Sequence, residues 1–226
     1  NLPPSVGATS MQVNFGEINN KGVDLSVSGQ IITNRNWFWS MTLTGGHVMD
    51  EIRKITSALN GNDQSRSDDV LLPKTLLQEG GSQFDIYAMR SAGIDPATGK
   101  EIYIKKNGEY TFNYIADERV VVGNTNPILQ GSWINTLRYK GFSLNVTTSY
   151  TFGADIYNTT LQGKVENIDP YYNVDERVFT DRWKKAGDHS RYLKIDTDAM
   201  THYSERFVEK RNEIYISSVQ FTYDFT

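Results

Sequence analysis

The sequence predicts an all-β fold: about five long antiparallel strands, a segment of a larger transmembrane β-barrel, with long extracellular loops. Three observations predict it. Apolar residues alternate with small polar ones over long runs, the runs end in aromatic residues, and short turns alternate with very long connections.

The first run, GVDLSVSGQII, puts Val23, Leu25, Val27 and Ile31 on one face. A short turn, Thr33 to Asn36, leads to WFWSMTL, with Trp37, Trp39, Met41 and Leu43 on one face. The following VMDEIRKITSAL fits two readings. Val48, Ile52, Ile55 and Leu59 match a helix, and the same stretch can continue the second strand. Further on, AGIDPATGKEIYI predicts a tight reversal at Asp95-Pro96 and Thr98-Gly99 between two short strands.

The third run, GSWINTLRY, aligns Trp133, Asn135, Leu137 and Tyr139. Lys140-Gly141 turns it into the fourth, FSLNVTTSYTF. Here Phe142, Leu144, Val146, Thr148, Tyr150 and Phe152 form one face, and Ser143, Asn145, Thr147, Ser149 and Thr151 the other. The fifth, IYISSVQFTYDF, aligns Tyr215, Val219, Phe221, Tyr223 and Phe225.

Between the second and third runs lie about eighty residues, and between the fourth and fifth about sixty. Lys164 to Glu213 carries 21 charged residues in 50, whereas Gly131 to Phe152 has only Arg138 and Lys140. This division predicts solvated connections and enclosed runs.

Alternation alone also fits a soluble β-sandwich. Length and aromatic placement favour the barrel. From Phe142 to Phe152 is about 33 Å of strand; tilted by about 40°, it rises about 25 Å, the height of a barrel's apolar band. Aromatics at both ends suit the two girdles at the membrane surfaces. Phe142, Leu144, Val146, Tyr150, Phe152, Val219, Phe221, Tyr223 and Phe225 are then expected to face lipid, with the Ser/Asn/Thr face toward the lumen.

Composition agrees. The hydrophobic fraction is 38% and mean hydropathy is low, as expected when half of each strand faces water. There is no Cys, which excludes disulfides and thiolate metal sites. A net charge of -4 argues against a nucleic-acid partner. No apolar run reaches the length of a membrane helix. The chain starts at Asn1 without an initiating Met, so it is expected to be a processed product or a piece of a longer protein.

Five stretches resemble the C-terminal part of the SusC/RagA-type TonB-dependent transporters of Bacteroidetes outer membranes. They are NFGEINNKGVDLSVSGQII, NWFWSMTLTGG, IYAMRSAGIDPATGKEIY, VVVGNTNPILQGSWINTLRYKGFSLNVTTSYTFGADIYN, and DRWKKAGDHSRYLKI with SERFVEKRNEIYISSVQFTYDF. They follow family order along nearly the whole chain. Two departures stand out: Tyr192-Leu193 where the family has a proline, and Ile214 to Val219 in place of a leucine-rich run.

The resemblance implies that residues 1–226 are part of a 22-stranded barrel, with the plug domain and the last strands not present. It implies import of glycan or peptide oligomers across the outer membrane, not enzymatic activity, and no cofactor. The implied partners are a SusD-like surface lipoprotein that closes the mouth, and TonB, acting through the absent plug. Two other functions remain open: a soluble carbohydrate-binding module, and a passive porin or surface adhesin.

For substrate contact the candidates are Tyr171, Tyr172, Asp181, Arg182 and Trp183, aromatic faces beside paired polar groups, the chemistry that holds a sugar. The competing reading makes Trp183 an anchor of the loop on the barrel rim. Asp188-His189-Ser190 has the residue types of a triad, but adjacency in a loop is not triad geometry. His47, His189 and His202 lack metal-ligand spacing, and no pair of loop carboxylates is singled out. Asn60 to Asp63 with Asp68-Asp69 offers oxygen ligands without EF-hand spacing. The sequons at Asn145 and Asn158 carry no weight in a bacterial barrel.

Overall fold

A computed structural model of the chain describes residues 16–55, 76–169, 171–195 and 201–225. Five long strands form one antiparallel sheet: β1 (Gly16–Thr33), β2 (Trp37–Ile55), β8 (Leu129–Tyr139), β9 (Phe142–Tyr157) and β10 (Val208–Tyr223), in the order β1-β2-β8-β9-β10. The five runs predicted from alternation are these five strands. VMDEIRKI continues β2 as far as Ile55, so the strand reading of that segment holds over its described part. The oxygen-rich stretch Asn60 to Asp63 with Asp68-Asp69, weighed above as a set of metal ligands, lies outside the described residues.

The turns are local. The Asn34 carboxamide oxygen accepts from the backbone N–H groups of Asn36 (3.0 Å) and Trp37 (2.8 Å), tying off the β1–β2 hairpin. Lys140 takes a left-handed φ of 50° in the two-residue β8–β9 turn. Both turns lie at one end of the sheet, and both long connections leave from the other.

Five short strands follow β2 in the first connection. β3 (Asp85–Ala88) pairs with β7 (Val120–Asn124), while β4 (Arg90–Ile94), β5 (Glu101–Ile104) and β6 (Tyr110–Thr111) form a second small sheet. The reversal between β4 and β5 is where the sequence puts it. Thr98 Oγ donates to the Asp95 carboxylate (2.6 Å), Gly99 N to the Asp95 carbonyl (2.8 Å). The β3–β7 sheet docks on the far end of β9: Asn124 N donates to the Asp155 carboxylate at 3.0 Å.

The expectation of enclosed runs and solvated connections is reversed within the chain. No second layer covers the large sheet among the described residues; Val23 is 73% exposed and Phe221 65%. The buried core instead joins the two connections: Ile86 and Ala88 from the first; Leu161, Val165, Tyr192 and Tyr203 from the second; and Tyr157 and Phe207 beside the end of β9. The charge-rich segment can bury side chains because its innermost charges pair with one another, as described below. A β-sandwich requires a sheet over the apolar face, and none is there among the described residues.

Two bulges correct the predicted faces. β10 and β9 stay in register from Tyr223↔Phe142 to Ser218↔Thr147, then shift, so that Ile216 faces Thr148 and Tyr215 faces Ser149. The extra residue, Ser217, inverts the alternation below it. Ile214 and Ile216 thus take the apolar face, and Tyr215 lies on the polar one. Likewise a shift between Gln30 and Ile32 sets Ile32, not Ile31, opposite Trp39.

Candidate functional site

The sheet has two chemically distinct faces. Cross-strand pairing aligns Trp37, Tyr139, Phe142 and Tyr223 in one row over four strands. Their rings touch: Trp37–Tyr139 at 4.3 Å and Phe142–Tyr223 at 4.6 Å between centroids, with Phe225 edge-on to Tyr223 at 4.7 Å. Above this row come Trp39, Leu137, Leu144 and Phe221, then Met41, Asn135, Val146 and Val219. A second aromatic level, Tyr150 and Phe152, closes the face ten residues up β9.

Two of its polar side chains are paired within the face. Trp39 Nε1 donates to Asn135 Oδ1 at 3.3 Å. Tyr150 lies across Gly131 and Gly45, where a β-carbon on Gly131 would stand 2.7 Å from its hydroxyl, and donates to the Thr44 carbonyl on β2 at 2.6 Å. The opposite face is a ladder of hydroxyls and amides: Ser28–Thr42 (2.9 Å), Thr44–Ser132 (2.8 Å), Thr136–Asn145 (2.6 Å) and Ser149–Ser217 (3.1 Å).

At the loop end, one cation joins the two connections. Arg206 binds Glu101 on β5 (2.8 Å) and Glu166 in the β9–β10 connection (2.7 Å), with side chains 11%, 2% and 0% exposed. Burial disfavours the Arg206 charge, but the two carboxylates outweigh it and hold the guanidinium above its ordinary pKa. Glu101 also accepts from Ser204 Oγ, and Glu166 from Thr201 Oγ at 2.8 Å. Burial, reinforced by the Glu101 charge, pushes the neighbouring Tyr103 phenol up. A cavity of about 220 Å³ opens beside this network, lined by Tyr103, Phe112 and Leu193 among others.

The five loop candidates separate in space. Arg182 is buried, its guanidinium donating to the carbonyls of Val165, Glu166, Leu193 and Lys194 at 2.7–2.9 Å. Trp183 Nε1 donates to the Pro96 carbonyl at 2.9 Å, and its ring covers Gly99, where a β-carbon would lie 2.5 Å from Cδ2. Asp181 is exposed. Tyr171 and Tyr172 are 93% and 73% exposed, and among the described residues no hydrogen bond or ring contact joins them to the other three. Trp183 thus fastens one connection onto the other.

Asp188, His189 and Ser190 do not converge: Asp188 accepts from two backbone N–H groups and Ser190 Oγ donates to the Tyr192 carbonyl. Asn158 caps a helical turn, accepting from Leu161 N at 2.8 Å. Glu101, Glu166 and Arg206 were missed from sequence, being 40 and 105 residues apart in their pairings with no local pattern to join them.

His202 stacks on Tyr114 at 4.3 Å, with rings within 7° of parallel. Burial pushes its imidazole below the ordinary value of 6.5. The unfolded segment therefore binds a proton more readily than the folded one. The contribution of His202 is full above about pH 6.5 and is lost as pH falls further. An NMR titration in the intact polypeptide is expected to place the His202 midpoint below 6.5, and a midpoint above it would contradict the burial argument.

No family model matches the chain. Its curated relatives include three receptors of Formosa agariphila. TonB-dependent receptor P3 is 26% identical over 178 residues, 71% of this chain and 17% of its own length. TonB-dependent receptor P26 is 26% identical, over 99% of this chain and 24% of its own length. TonB-dependent receptor P39 is 20% identical, over 99% and 26%. The chain thus spans about a quarter or less of these relatives. Among solved structures, that of the RagAB peptide transporter superposes with a TM-score of 0.75 at 22% identity, over 98% of this chain and 24% of that one. The RagAB peptide importer in its open-open state gives 0.72 at 21%. The resemblance to SusC/RagA-type TonB-dependent transporters expected from the motifs is borne out, and the fold is that of a stretch of such a barrel.

Proposed function

We propose, proceeding from that likeness, that the chain forms wall, lumen lining and outer loops of a TonB-dependent nutrient importer in a bacterial outer membrane. The observation that carries the reading is the two-faced sheet. One face is apolar, uncovered by the described residues and bounded by aromatic rows; the other carries a hydroxyl and amide ladder. The apolar face suits lipid and the ladder suits a water-filled lumen. The cargo is an oligomer, glycan or peptide, taken in with a SusD-like lipoprotein over the mouth, and the protein acts as a transporter rather than an enzyme. A neighbour described as a peptide importer supports this reading. Tyr171 and Tyr172, exposed on the loop side, remain available for substrate or lipoprotein contact, whereas Arg182 and Trp183 hold the loops in place.

The test is uptake of fluorescent glycan and peptide oligomers by cells producing the intact polypeptide, with and without TonB. Uptake is expected to need TonB. Equal uptake in both strains would reduce the protein to a passive pore.

A further inference from the structure

The segment from Thr180 to Arg191 lines a second, open cavity of about 730 Å³, the size of a ligand pocket. Its lining carries four cationic side chains against two carboxylates, in a chain whose net charge is -4. The hydrogen bonds sort these charges into occupied and available. Arg182 is taken up by four backbone carbonyls. Asp188 lines the cavity too, and its Oδ2 accepts from Lys184 N at 3.1 Å and Lys185 N at 3.0 Å. Lys184, Lys185 and Arg191 stand around the opening, none in an ion pair among the described residues, against the carboxylates of Asp181 and Asp188.

The base beneath them is fixed. Ser190 Oγ donates to the Tyr192 carbonyl at 2.9 Å, Gly187 N to the Pro96 carbonyl at 2.9 Å, and Tyr192 is buried in the loop core. Three cations outside any ion pair, with Arg191 set over the Tyr192 ring at 6.0 Å, on an anchored, concave loop suit a ligand that presents several negative charges at once. A single exposed ion pair is weak and screened by salt, but spaced pairs on one ligand act together.

We propose that this cavity binds an oligomer bearing repeated carboxylate or sulfate-ester groups. The proposal rests on the importer reading for what reaches the loops, but its test measures binding without transport. Dextran sulfate, neutral dextran and oligogalacturonate are titrated against the intact polypeptide in detergent. At least one polyanion is expected to bind in 50 mM salt and to be released in 0.5 M, while neutral dextran does not bind. Which polyanion binds separates sulfate from carboxylate recognition. The triple variant K184Q/K185Q/R191Q is expected to bind at least tenfold more weakly, and K140Q, at the opposite end of the sheet, to bind as the parent does. Binding of neither polyanion, or equal binding by parent and triple variant, overturns the proposal. Polyanion binding without TonB-dependent uptake would count against the importer reading alone.

Discussion

Val146→Arg is expected to destabilise the folded barrel by about 2–4 kcal/mol, while Thr147→Arg, one residue on, is tolerated. The two positions are neighbours in sequence and opposite in environment. Val146 pairs with Asn135 and Val219 in the middle of the apolar face, two rows above the Trp37–Tyr139–Phe142–Tyr223 belt. On the proposed lipid-facing wall, an arginine there would have to place its guanidinium in hydrocarbon or snorkel past the belt. Thr147 pairs with Ile134 and Ser218 on the face of the hydroxyl ladder, where a charge stays in water. Urea unfolding of the intact polypeptide from lipid vesicles measures both. Equal losses, or the reverse order, would mean that the apolar face does not meet lipid.

Arg206→Met is expected to cost the loop core about 3–5 kcal/mol, because it leaves two carboxylates buried without their cation. Glu101 and Glu166 are almost wholly enclosed, so water cannot replace the guanidinium. The triple change Arg206→Met, Glu101→Gln, Glu166→Gln removes the unpaired charge and is expected to recover most of the loss. Hydrogen exchange or limited proteolysis of residues 158–207 in the intact polypeptide reads the effect while the sheet stays folded. A triple variant no more stable than the single one would show that lost packing, not stranded charge, sets the cost.

These two cases mark what was legible in the sequence. Strand positions were legible, because a period of two over ten residues has no other good explanation in Phe142 to Phe152. Register was legible only between bulges. Nothing about Ser217 or Ile31 announces an extra residue, so alternation alone puts Tyr215 on the wrong face, whereas it pairs with Ser149. The loop core was not legible. A high density of charge reads as solvated surface, and no local pattern tells that Arg206 finds its partners 40 and 105 residues away. Trp183 sits between the two cases: its residue type suited either an anchor or a sugar platform. Only the Pro96 carbonyl and the bare Gly99 beneath the ring show that it is held as an anchor.

The seam between β2 and β8 also bears on the order in which the sheet assembles. β1–β2 and β8–β9 are hairpins closed by short turns, whereas Gly46 and Gln130 must meet across the whole first connection. Each doubling of a closed loop costs about 0.6 kcal/mol of chain entropy, and contacts between distant residues slow folding. The two hairpins would therefore form early and independently, and the seam would zip late. Tyr150 reaches over that seam to the Thr44 carbonyl, and Arg206 spans the connections above it. Both contacts would lock only once the hairpins have met, so they guard the slowest step of assembly against reversal.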